Sequence, residues 1–83
     1  MSLTIDDVLA LANVRADVHA GRVRAVRENA GLSQAELAAV VDVSPSAIAQ
    51  WEAGRRTPRG PAALRYARAL SHLGADSRDS TAA

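Results

Sequence analysis

The chain has 83 residues, a mass of 8.7 kDa and a formal net charge of +1, with no cysteine and two histidines. That length holds one small domain with a thin core, and the absence of cysteine excludes disulfide frameworks, thiolate metal sites and cysteine nucleophiles. No stretch reaches the apolar length of a membrane span, and the amino end lacks the basic start and apolar run of a signal peptide, so a cytoplasmic protein with no membrane partner is expected.

The small net charge hides a division along the chain. Residues 1–20 hold one arginine and three acids, a balance of −2, whereas residues 21–74 hold eight arginines against four acids, a balance of +4. Residues 75–83 return to −1. The middle of the chain is therefore the part suited to phosphate contact. All ten basic residues are arginine.

In chain order, Thr4 followed by Asp7 reads as a capping box, and Asp6 and Asp7 suit the positive end of a helix dipole, which predicts a helix over about Ile5 to Ala20. Its apolar residues Ile5, Val8, Leu9, Leu11, Ala12, Val14 and Val18 cover more than one stripe. Two readings stay open: one stripe packs on the domain and the rest is exposed, or the second stripe is buried against another protomer. His19, Ala20 and Gly21 break the pattern. A second helix is expected over Arg22 to Ala30, with Val23, Val26 and Ala30 inward and Gly31 ending it.

Ser33 and Glu36 form a second capping box, starting a helix at Gln34 with Leu37, Ala38 and Val41 on its buried face. The pattern stops at Asp42, one of the few non-glycine types that visits positive φ, and Val43 plugs the corner. Ser44 then caps a helix whose first position is Pro45. Ile48 and Trp51 form its inner face, Gly54 ends it in a left-handed turn, and Ser46, Ala47, Ala49 and Gln50 are left on the outer face. A basic loop follows with Arg55, Arg56 and Arg59. A last helix starts at Gly60 and Pro61, with Leu64, Ala67 and Leu70 inward, Arg65 and Arg68 outward, and Gly74 as its cap. Residues 75–83 are small and polar, and a disordered tail is expected there.

Over Val23 to Leu70 the sequence resembles the helix-turn-helix family of phage repressors, the XRE or Cro type. The resemblance rests on GLSQAELA, the small Ala38, Ile48 and the run IAQWEAGRRTP, with one departure at Asp42, where the family has glycine. It implies an all-α fold: a small five-helix bundle with a lambda repressor-like helix-turn-helix domain over residues 21–74 and an extra N-terminal helix over residues 1–20. It also implies that Arg27 and Glu52 form a tether between the first family helix and the end of the recognition helix. Trp51 is then core, and not a base-stacking residue.

In this family's docking geometry the amino end of the recognition helix goes deepest into the major groove, which makes Pro45, Ser46, Ala47, Ala49 and Gln50 the expected base-reading residues. Gln50 suits a bidentate pair with adenine. Gln34, Ser44, Arg55, Arg56 and Arg59 are the expected phosphate contacts. His19 and His72 lie far apart with no carboxylate or cysteine at ligand spacing, so no metal and no cofactor are expected. No serine, histidine and acid arrangement, glycine-rich phosphate loop or paired carboxylate stands out, so the chain is not expected to be an enzyme. The reading is a transcriptional repressor that binds double-stranded DNA as a homodimer, with the N-terminal helix as a candidate dimer contact. The rival readings are the antitoxin of a toxin-antitoxin pair, with that helix facing a protein partner, and a protein-interaction adaptor that uses the same fold without DNA.

Overall fold

The structure is a computed structural model that describes residues 2–82, with side chains described for residues 2–74. Five helices follow one another: α1 over Ile5–Ala20, α2 over Val23–Asn29, α3 over Gln34–Val41, α4 over Pro45–Glu52 and α5 over Gly60–Ala82. Three of the helix boundaries have a local chemical cause. Thr4 and Asp7 exchange side-chain and backbone hydrogen bonds at 3.1 Å each, and Ser33 and Glu36 do the same at 2.9 and 3.0 Å. These reciprocal bonds satisfy donors that a helix start otherwise leaves open. Asp42 ends α3 at φ 61° and ψ 51°, in the left-handed region.

The core is built around the middle of α5. Ala63, Tyr66, Ala67 and Leu70 are buried there, and they face Val14 and Val18 of α1, Val23 of α2, Leu37, Ala38 and Val41 of α3, and Ile48 and Trp51 of α4. The rings of Trp51 and Tyr66 lie 4.6 Å apart, tilted by 39°. Such a pair contributes about 0.5–1.5 kcal/mol beyond its burial. Thus α5 is the post on which α1, α2 and α3 pack, while α4 packs mainly on α3.

Three expectations change. Leu64 is only half-buried, and Ala63 and Tyr66 fill the core instead; the spacing 63, 66, 67, 70 is the three-and-four pattern of one helix face, with Leu64 on its flank. Ala30 is exposed because α2 ends at Asn29 and Ala30 serves as its C-cap. The last helix does not stop at Gly74: α5 continues to Ala82, where a disordered tail was expected. An interior glycine costs a helix only about 1 kcal/mol relative to alanine, and no proline follows Pro61 to break it. Ala83 lies outside the described residues.

Arg65 and Arg68 of α5 point outward as expected, yet both are engaged. Arg65 Nε donates to the Val41 carbonyl at 2.7 Å, satisfying one of the carbonyls that the end of α3 leaves open. Arg68 reaches across to α1, where its Nη2 donates to Asp7 Oδ1 at 2.9 Å. Asp7 therefore both caps α1 and ties it to α5. The Thr4 backbone N–H and then the Arg68 guanidinium hold its carboxyl below its ordinary range.

Candidate nucleic-acid interface

Helix α4 is fixed at both ends. At its start the Ser44 hydroxyl accepts from the Ala47 N–H at 3.1 Å, and Pro45 takes the first helical position, where no donor is lost. At its end the Gly54 N–H donates to the Trp51 carbonyl at 3.1 Å and the Arg55 N–H to the Gln50 carbonyl at 2.9 Å. This double closure needs a left-handed residue between the two donors, and Gly54 supplies it at φ 71°. The chain leaves α4 in a set direction, carrying Arg55 and Arg56 with it.

A third constraint comes from the neighbouring helices. Arg27 of α2 donates from Nε to Glu52 Oε2 at 2.6 Å and from Nη2 to Oε1 at 3.0 Å, while its Nη1 donates to the Leu32 carbonyl at 2.7 Å. The Gln34 amide adds a bond to Glu52 Oε1 at 3.1 Å. Burial pushes the Glu52 carboxyl up, but the bonds from Arg27 and Gln34 outweigh that and leave it below its ordinary value. One carboxylate thus joins α2, the start of α3 and the end of α4. The Gln34 bond had no signal in the sequence, because glutamine at a helix start reads equally well as a solvent-facing residue.

With Ile48 and Trp51 buried, the opposite side of α4 is uncovered. Ser46 is exposed, Ala49 and Gln50 are half-buried, and the Gln50 amide donates to the Ser46 hydroxyl at 3.2 Å, one turn back. Pro45 is exposed at the helix start, whereas Ala47 packs partly against the core and stands at the edge of this face. Of the expected phosphate contacts, Arg55, Arg56 and Arg59 are exposed and form no ion pair among the described residues. The bond from Gln34 to Glu52 sets the start of α3 beside the turn that carries Arg55. Ser44 lies at the other end of α4.

Such an arrangement offers a helix with a polar, small-residue outer face, flanked by unpaired guanidinium groups. The width of the B-DNA major groove admits one helix, and unpaired arginines release counterions from phosphates. Among the described residues no helix is long and apolar enough to cross a membrane.

A family model described as helix-turn-helix matches residues 23–71, more than half of the chain, taking in α2, α3, α4 and the first half of α5. Neither a curated protein nor a solved structure matches the chain. The family is a DNA-binding regulatory one and not an enzyme family, and α1 stands outside the matched residues. Motif, geometry and family match agree: the chain belongs to the helix-turn-helix family of the XRE, lambda repressor-like type, and is a DNA-binding transcription regulator.

Proposed function

We propose that the chain is a repressor of phage or bacterial type that binds operator DNA as a homodimer and blocks transcription by occupying a promoter. The observation that carries this reading is the uncovered outer face of α4, whose inner residues Ile48 and Trp51 are buried and whose last residue, Glu52, is gripped from two other helices. With that helix in the major groove, Gln50 pairs with adenine, Ser46 donates or accepts, and Ala49 meets a thymine methyl group, with Pro45 and Ala47 at the margin. The bond between Gln50 and Ser46 holds the glutamine amide along the helix before it meets a base.

The phosphate contacts divide by chemistry. Arg55, Arg56 and Arg59 act as charges. Gln34 acts through its backbone N–H at the start of α3, where helix geometry leaves donors free for an anion, since its amide is already bonded to Glu52. The Ser44 hydroxyl accepts from Ala47 and keeps its proton to donate.

One recognition helix reads only a few base pairs, and two copies on paired half-sites extend the site. Ile5, Val8 and Leu9 of α1 are 71 %, 47 % and 55 % exposed. This apolar back of α1, outside the matched family residues, is the proposed contact between the two copies. Selection from a random duplex pool at stated salt, with the mass of the complex measured on the selected site, tests both parts. A palindromic site bound by two chains is expected; a single chain on a site without symmetry contradicts the dimer. The pair of substitutions Ile5→Ser and Leu9→Ser, both on exposed positions, is expected to turn the dimer into a monomer.

A further inference from the structure

Between the middle of α1, with Leu3 just before that helix, and the first half of α5 the surface sinks into an open groove of about 490 Å³. Its lining is apolar at Leu3, Leu11, Ala63 and Leu64 and basic at Arg15, Arg65 and Arg68. Leu3 is 51 % exposed and Leu11 and Leu64 are half-buried, so apolar surface is left open to water there.

The three cations are unequally occupied. Arg68 is paired with Asp7, and Arg65, though in no ion pair among the described residues, donates from Nε and Nη2 to the Val41 and Asp42 carbonyls at 2.7 and 3.4 Å. Arg15 forms no ion pair among the described residues. An apolar trough beside one guanidinium whose whole fork is free of hydrogen bonds among the described residues is complementary to a molecule with an apolar tail and an anionic head that one fork can hold. A planar carboxylate matches one arginine fork with two parallel hydrogen bonds, and one fork is what the rim leaves over. The volume lies within the range of small-molecule sites, roughly 300–1,000 Å³. One wall belongs to α1, outside residues 23–71, so the groove is not part of what the family match covers.

The geometry points to a ligand site for a medium-chain carboxylate between α1 and α5, with Leu3, Leu11 and Leu64 against the acyl chain and Arg15 on the carboxylate. The site borders the proposed contact between copies: at 3.6 residues per turn Leu11 and Arg15 project away from Ile5 and Leu9, whereas Val8 shares the face of Leu11 and Arg15 on α1. It is independent of the reading of α4.

The test is a titration of the full chain with sodium decanoate below its micellar concentration, followed by the backbone amide NMR signals. Saturable shifts at Leu3, Leu11 and Leu64 are expected. Arg15→Gln, an exposed and uncharged replacement, is expected to weaken decanoate about tenfold, as is exchanging decanoate for decanol, since both remove the charge-assisted fork. Leu3→Ser is expected to weaken both ligands by shortening the floor. Shifts that never saturate, decanol binding as tightly as decanoate, or unchanged affinity in Arg15→Gln would each overturn the proposal. In the Ile5→Ser, Leu9→Ser chain, where the proposed contact between copies is removed, shifts of the same residues with protein concentration alone would assign the groove to a second copy of the chain and overturn it too.

Discussion

Arg27 and Glu52, 25 positions apart in sequence, meet in a two-pronged ion pair at 2.6 and 3.0 Å, with side-chain exposures of 9 % and 4 %. Glu52 is the last residue of α4, so the orientation of that helix is set through this pair. Removing one member leaves the other charge buried without a partner, at a cost of about 3–5 kcal/mol. Glu52→Gln is therefore expected to lower unfolding stability by that amount in urea. A change below about 1 kcal/mol would mean that the pair is hydrated and does not hold α4.

The same pair, with Asp7 and Glu36, sets the acid limit of the fold. All three carboxyls sit below their ordinary values: Glu52 because Arg27 and Gln34 outweigh its burial, Asp7 through the Thr4 N–H and Arg68, and Glu36 through the Ser33 N–H and hydroxyl. A carboxyl whose folded value is depressed contributes stability above its unfolded value, and that contribution is lost as pH falls toward the folded one. Stability is thus expected to be flat from pH 8 to 5 and to decline below about pH 4. Urea midpoints across that range check it. In Glu52→Gln the decline is expected to be shallower, since one of the three titrating groups is gone.

Tyr66 carries a different kind of strain. It is fully buried against Trp51, and its hydroxyl has no hydrogen-bond partner among the described residues. Burial pushes the phenol above its ordinary value. Tyr66→Phe keeps the ring and removes the orphan hydroxyl, so a gain of about 1 kcal/mol is expected, read as a higher melting temperature. A loss of similar size would show that the hydroxyl has a partner.

Asp42 holds φ 61° at the turn between α3 and α4, and a carboxylate there also faces the negative end of the α3 dipole. Asp42→Gly relieves both, offset in part by the greater freedom of glycine when unfolded. A net gain of about 0.5 kcal/mol is expected, against a loss for Asp42→Val, whose branched side chain resists positive φ. Equal effects of the two substitutions in urea unfolding would contradict this account of the turn.

What could be read from the sequence was what neighbours within four or five residues decide. The caps at Thr4, Ser33 and Ser44, the turn at Asp42 and the buried pair Ile48 and Trp51 all follow from local chemistry and period. Contacts between distant segments could not be read in that way. Gln34 reaches Glu52 across 18 positions, Arg65 reaches Val41 across 24, and Arg68 reaches Asp7 across 61. Tyr66 was invisible as a core residue because an alanine-rich helix has several weakly apolar faces, and the face that packs is chosen by α1, α2 and α3 together. The pair of Arg27 and Glu52 was foreseen only through the resemblance to phage repressors, since nothing local joins them.

The central claim, that the outer face of α4 reads base edges while the following loop holds phosphates, is tested most directly by one comparison of variants. Binding of the unaltered chain, Gln50→Ala and Arg55→Ala would be titrated against salt on a selected duplex and on versions with each base pair exchanged in turn. Gln50→Ala is expected to lose about 1–3 kcal/mol of discrimination at a single adenine-containing pair with its salt slope unchanged. Arg55→Ala is expected to weaken every duplex alike and to flatten the slope by about one unit. The reverse pattern, a uniform loss for Gln50→Ala and an altered sequence preference for Arg55→Ala, would contradict the assignment of the two surfaces.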